Sequence, residues 1–268
     1  MSGIQHIELQ SANGDSRVVV STWGGRVIKW NYRGREVIFR SESIGYDEVA
    51  AEHAGVPILF PQFGLFGDGP AHGVVRSNLW TVEEASVTTC TLNYSFSDPS
   101  AIGEFRVRVQ VSIEDASLEI RTEFKNLSTV NPLQFTAGLH TYLAVSDVDN
   151  VRIIGLQGAN YLDATDGLES AVDLQAAVDF GERLDRVYVD TPLPVAVEDE
   201  RFQILVDQKG YEDTVVWNPG QTLASDFDDL ESGEWRRFIC VEAAQIQAPV
   251  VLHPNDSWEG AQILTIRN

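Results

Sequence analysis

The sequence predicts an all-β chain, one antiparallel sandwich or barrel, and three observations predict it. Most of the chain alternates apolar and polar residues with period two, as strands do when one face packs on a core and the other meets water. The alternating runs recur at about 8 to 12 residue spacing with short turns between them, a rhythm of antiparallel sheets rather than of βαβ units. No repeat, low-complexity tract or composition break divides the 268 residues. Residues 1–268 therefore read as a single domain, a size that sandwiches and barrels reach as one unit.

Taken in order, residues 26–32 (RVIKWNY) alternate and end at a turn on Arg33 and Gly34. Residues 55–76 hold three prolines and five glycines, which makes them a long loop. Loops beyond about 12 to 15 residues are usually functional or disordered, and Phe60, Phe63 and Phe66 argue against disorder here. Residues 105–113 (FRVRVQVSI) and 117–124 (SLEIRTEF) alternate on either side of a turn at 114–116. Residues 138–145 (GLHTYLAV) put His140, Tyr142 and Ala144 on one face and Leu139, Thr141, Leu143 and Val145 on the other. The best helical pattern, 169–180, fits a strand nearly as well, so helices are expected to be few and short. The acidic stretch 226–234 is too short and mixed for a linker. In 238–244 (FICVEAA) Glu242 shares a face with Phe238 and Cys240.

Composition excludes several classes of function. With 19 Lys and Arg against 40 Asp and Glu, the formal charge is −21. Such a chain gains nothing from counterion release on a nucleic acid and is repelled by anionic lipid. At 43% apolar and 22% charged residues it nonetheless has the balance of a folded protein rather than an acidic tail. Its two cysteines, Cys90 and Cys240, lie in apolar strand-like runs, which reads as reduced and buried rather than disulfide-bonded or metal-bound. The N-terminus lacks a signal pattern and no window approaches the length of a membrane span. The expectation is a cytoplasmic protein with no nucleic-acid or membrane partner and no metal at its cysteines; its oligomeric state is open, with a monomer favoured.

The residues out of place in their patterns are titratable. A strand histidine such as His140 is most often a hydrogen-bonded core or rim residue. Glu242, the one charge in an apolar run, is either a structural ion pair with Arg236 or Arg237, or a carboxyl raised by desolvation and suited to be a general base. The loop ends in His72, Gly73 and Arg76, a histidine, a residue allowing close backbone approach, and a guanidinium able to fork onto oxygens; a turn with a surface arginine is the plainer alternative. Residues 185–188 (DRVY) and 215–220 (VVWNPG) pair polar residues with aromatics, as sugar sites do, though Trp217 suits a core equally.

These motifs together, PILFPQFG (57–64), HGVVRSNLW (72–80), LHTY (139–142), DRVY (185–188), VVWNP (215–219), CVEAA (240–244) and SWEGAQ (257–262), resemble the aldose 1-epimerase superfamily in order and across nearly the whole chain. The likeness is greatest to its hexose-6-phosphate mutarotase branch. The resemblance implies a single-domain β-supersandwich of the galactose mutarotase type and a cofactor-free mutarotase, an isomerase that interconverts the α and β anomers of an aldohexose or hexose 6-phosphate. It implies Glu242 as general base, His140 as general acid, and His72, Arg76, Asp185 and Gln62 as residues that bind the small-molecule sugar or sugar phosphate. His53 stands where that branch commonly has an arginine, and Ala71 where it has a glutamine. Loss of a permanently charged fork and a net charge of −21 weigh against a phosphorylated substrate. The alternative from another class is a non-catalytic carbohydrate-binding or regulatory protein using the same cleft.

Overall fold

In a computed structural model, described over residues 3–41, 52–98, 102–178 and 180–267, two large antiparallel sheets face each other and a small one flanks them. The cleft sheet runs Glu169–Val172, Asn160–Asp163, Leu184–Tyr188, Asp213–Asn218, Phe238–Leu252, Leu133–Leu139, Ile58–Leu59, with Tyr142–Ala144 also paired to Phe238–Leu252. The back sheet runs Arg152–Ile154, Val195–Glu198, Gln203–Lys209, Ser257–Arg267, Ser117–Asn126, Gly103–Ile113, Thr89–Asp98, Thr81–Ala85. A four-stranded sheet, from His6–Gln10 to Arg35–Glu36, completes the molecule. The fold is the all-β sandwich of galactose mutarotase-like proteins that the alternation and motifs predict.

Period-two patterning becomes packing directly in the back sheet. Phe105, Val107, Val109 and Val111 are fully buried while Arg106, Arg108 and Gln110 between them stay half-exposed. Leu118, Ile120 and Phe124 do the same on the neighbouring strand. Each such side chain contributes about 1.5–3 kcal/mol by leaving water. They meet Leu139, Leu143, Ile239, Val241 and Ala243 of the cleft sheet in one cluster that also takes in Trp30 of the small sheet. Arg33 and Gly34, both at positive φ (49° and 81°), make the tight turn before Arg35.

The helical pattern at 169–180 resolves as the strand Glu169–Val172 followed by irregular chain over 173–178, with position 179 outside the described residues. Val172 and Leu174 remain largely exposed. The edge of Asn160–Asp163 offers this segment a ladder, and Val178 and Phe180 reach the core without a helix. Helix is confined to Gly220–Ala224 and three 3-10 turns among the described residues, and no described helix is long and apolar enough to cross a membrane. The 55–76 loop is organised by the two-residue strand Ile58–Leu59 and the turn Val75–Ser77, with Phe60 and Phe63 buried.

Candidate active site

Strand register builds the floor of a cleft of about 460 Å³, within the ~300–1,000 Å³ range of small-molecule sites. Along Phe238–Leu252 the odd-numbered Ile239, Val241 and Ala243 enter the core between the sheets, so the even-numbered Phe238, Cys240 and Glu242 turn the other way. Val187 pairs with Val215 and Val215 with Glu242. One step beyond the Leu139–Ala243 pair, His140 falls opposite Glu242. The next row runs Asp185, Trp217, Cys240 and Tyr142. Both rows point into the cleft, and all their members except Cys240 line it.

His140 and Glu242 meet there. Nδ1 lies 3.3 Å from Oε1, yet His140 Nδ1 and Glu242 Oε2 are both buried without a hydrogen-bond partner. An unsatisfied buried polar atom costs about 1–3 kcal/mol, so the pair stands at the cleft floor with hydrogen-bonding capacity unused. Burial lifts Glu242 well above the ordinary carboxyl range, and Asp185 adds to the effect. Burial, then the nearby His72, His53 and Arg76, hold His140 well below the ordinary imidazole range. Of the two arginines that could have paired with Glu242, Arg236 binds Asp147 at 2.7 Å and no Glu242–Arg237 pair is seen among the described residues; the ionisable group beside Glu242 is His140.

The 55–76 loop brings two more residues to the cleft. Gly73 lets the chain pass over Phe60: its φ is 71°, and a Cβ there would lie 2.0 Å from the Phe60 carbonyl oxygen. His72, itself at φ 62°, accepts a hydrogen bond on Nδ1 from the Gly64 N–H at 3.3 Å. That fixes the neutral tautomer with its proton on Nε2. Its ring sits 5.6 Å from that of His140. Burial, with Arg76 and His53 adding to it, lowers its pKa to about 4. Arg76 follows on the 3-10 turn, 3.8 Å from the Glu52 carboxylate.

His53 also lines the cleft. Its Nδ1 lies 2.7 Å from Asp229 Oδ1, and the N–H groups of Glu52 and His53 donate to Asp229 Oδ2 at 2.8 Å each. Burial pushes Asp229 up, but these bonds outweigh it and hold the carboxyl below its ordinary range. The His53 ring stacks on Phe227 at 3.8 Å. Asp185 lines the same cleft and takes Arg183 Nη2 at 2.7 Å; burial raises its pKa against that pairing.

Of the seven predicted residues, Glu242, His140, His72, Arg76, Asp185 and His53 converge, and Gln62 does not. Gln62 lies outside the cleft: its Nε2 donates to the Gly64 and Gly69 carbonyls and its Oε1 accepts the Gly69 N–H at 2.8 Å. The amide holds the loop: both its N–H donors and one of its two acceptor positions are taken by loop backbone. Sequence reasoning left out Tyr142, Arg183, Phe227 and Asp229, and placed Trp217 no more firmly in a site than in a core. Tyr142 was signalled by sharing the His140 face; Asp229, in a mixed acidic run, carried no local signal. His140, Cys240 and Glu242 form the one described group with metal-ligand atoms close together, within 4.8 Å. That spread is wide for zinc bonds of about 2.0–2.3 Å, and burial keeps the Cys240 thiol protonated, so these residues do not fit a resident metal.

Residues 5–265 match the family model of aldose 1-epimerase. A Cenchrus ciliaris protein described as a candidate glucose-6-phosphate 1-epimerase is 29% identical over 97% of this chain and 84% of its own length. An Escherichia coli K12 protein of the same description is 28% identical over 82% of this chain and 77% of its own. Among solved structures, a candidate mutarotase from Salmonella typhimurium matches with a TM-score of 0.85 at 22% identity, covering 100% of this chain and 92% of that one. A galactose mutarotase-like protein from Lactobacillus casei matches at 0.77 and 13% identity, covering 98% of this chain and 100% of that one. At such identities the structural likeness speaks to fold alone.

Proposed function

The chain belongs to the aldose 1-epimerase family, and we propose that it is a mutarotase that interconverts the α and β anomers of an aldohexose or its 6-phosphate. The observation that supports this most is the pair of buried, unpartnered atoms, His140 Nδ1 and Glu242 Oε2, beside one sugar-sized space. An anomeric carbon presents what they lack, a hydroxyl proton to give and a ring oxygen to be protonated.

The two groups hold one proton between them. In the empty cleft burial favours the uncharged arrangement, carboxylic acid and neutral imidazole. Transfer over the 3.3 Å contact yields carboxylate and imidazolium, the forms the reaction needs. Glu242 takes the proton of the C1 hydroxyl, the O–H electron pair becomes the second C1–O bond, the C1–O5 bond breaks, and O5 takes the proton of His140. Rotation about C1–C2 turns the aldehyde over. Ring closure then reverses every transfer, with Glu242 as acid and His140 as base, so the enzyme returns to its starting state with the other anomer bound. His72, neutral and with Nε2–H free of the loop, is a donor to the sugar oxygens, and Trp217 offers an aromatic face to the pyranose CH groups. The proton inventory closes without nucleotide or metal.

The relatives' names point to a 6-phosphate; two guanidinium groups line the cleft, Arg76, 3.8 Å from the Glu52 carboxylate, and Arg183, 2.7 Å from Asp185, and Arg76 supports that reading because its own ion pair is the looser one. NMR exchange between the anomers of glucose and of glucose 6-phosphate tests the proposal on both substrates. Glu242→Gln and His140→Asn should each lower kcat about 10²- to 10⁴-fold. Variants as active as wild type would overturn the roles; binding of sugar without accelerated exchange would overturn the enzyme reading itself.

A further inference from the structure

Gln262 belongs to the closing SWEGAQ motif, lies on the back sheet, and is completely buried between the sheets. A buried amide is tolerated when its polar ends are satisfied, and those of Gln262 are satisfied in an uncommon place. Leu139 pairs with Ala243, and Tyr142 pairs with Cys240. Between these rungs the ladder is broken. In an unbroken antiparallel pair Thr141 and Val241 would exchange both hydrogen bonds. One half survives, Val241 N–H to Thr141 C=O at 3.3 Å. The other is missing, because the Thr141 N–H turns back onto the Leu139 carbonyl at 2.9 Å, closing a three-residue turn centred on His140.

That turn leaves the Val241 carbonyl and the Thr141 hydroxyl inside the core. Gln262 takes both: Nε2 donates to the Val241 carbonyl at 2.9 Å, and Oε1 accepts the Thr141 hydroxyl. The residues it grips are the neighbours of the reacting pair, Thr141 beside His140 and Val241 beside Glu242. The amide stands in for the absent rung. On the other side of the turn the His140 N–H is held by the Pro57 carbonyl at 2.9 Å.

Resting on the mutarotase reading, we propose that Gln262, acting with Thr141, is a positioning residue that fixes the separation and aim of His140 and Glu242 from behind the cleft. It touches no substrate. A misplacement of reacting groups by about 1 Å can cost about 10²-fold in rate, and the ladder itself supplies only half its bonds at this point.

The test compares Gln262→Met, which keeps the shape and removes both bonds, with Thr141→Val and Thr141→Ser, which delete and retain the hydroxyl. Gln262→Met and Thr141→Val should lower kcat about 10- to 100-fold with KM nearly unchanged, while Thr141→Ser restores most of the rate. Thr141→Val serves where Gln262→Met fails to fold. Tyr211→Phe is the control for lost core bonding: it removes the buried Thr122–Tyr211 hydroxyl contact of 2.8 Å, and should lower Tm without moving kcat. The ¹⁵N resonances of the His140 ring, identified by their loss in His140→Asn, give a readout independent of turnover and should shift in Gln262→Met and Thr141→Val but not in Tyr211→Phe. Unmoved His140 resonances, or a fall in Tm with kcat intact, overturn the positioning role. Full activity of Glu242→Gln and His140→Asn overturns the roles given to that pair, and sugar binding without accelerated exchange overturns the mutarotase reading; in either case the resonances still decide whether Gln262 aims the histidine.

Discussion

His72 should make the fold sensitive to acid in a window set by its own burial. In the unfolded chain its imidazole titrates near 6.5; in the fold, burial with Arg76 and His53 nearby lowers the value to about 4. On acidification the unfolded chain takes up this proton first, so stability is unaffected above about pH 6.5 and is lost as pH falls from there toward 4. With about 1.36 kcal/mol per pH unit, the loss attributable to His72 is about 2 kcal/mol between pH 7 and 5 and about 3 kcal/mol by pH 4. His72→Asn is the informative variant, since Asn tolerates the positive φ of this position. Urea unfolding of both proteins at pH 7 and pH 5 should show the wild type losing about 2 kcal/mol more than the variant. Parallel pH dependences would refute the reasoning, because they would mean that the imidazole charges in the fold as easily as in the unfolded chain. The same burial keeps His72 neutral and its Nε2–H available across the physiological range.

Two further outcomes follow from the cleft and its loop. Trp217→Leu removes the aromatic face beside His140 and Tyr142 and should raise KM for the sugar about 5- to 10-fold, roughly 1 kcal/mol, with a smaller effect on kcat, measured by anomer-exchange kinetics. Gly73→Ala forces a side chain onto the Phe60 carbonyl at positive φ and should cost at least about 2 kcal/mol of stability. It should also displace His72, so thermal unfolding and exchange rate should fall together.

The faces of the strands were legible in the residues themselves. Alternation separates His140, Tyr142 and Ala144 from Leu139, Leu143 and Val145; the structure sends His140 and Tyr142 to the cleft and Ala144 to the small apolar cluster with Phe39 and Phe238, and the second set into the main core. Glu242 was likewise visible as a carboxyl on an apolar face. The helical pattern at 169–180 misled because periodicity over a dozen residues cannot report whether a surface exists to bury its apolar stripe. That Gln62 stands outside the cleft lining was not legible, because a loop position does not reveal which way an amide turns once Gly64 and Gly69 offer it three hydrogen bonds.

By itself, then, the sequence determined the fold class, the inward face of each strand and the two residue types suited to the chemistry, since period two and side-chain polarity are local properties. The tertiary structure decided what meets what. That His140 stands opposite Glu242, that Asp229 holds His53 across 176 positions, and that Gln262 fills a broken rung behind both catalytic candidates depend on strand register and sheet stacking. Those are set by the sum of contacts between segments distant in the chain, and no window of neighbouring residues contains them.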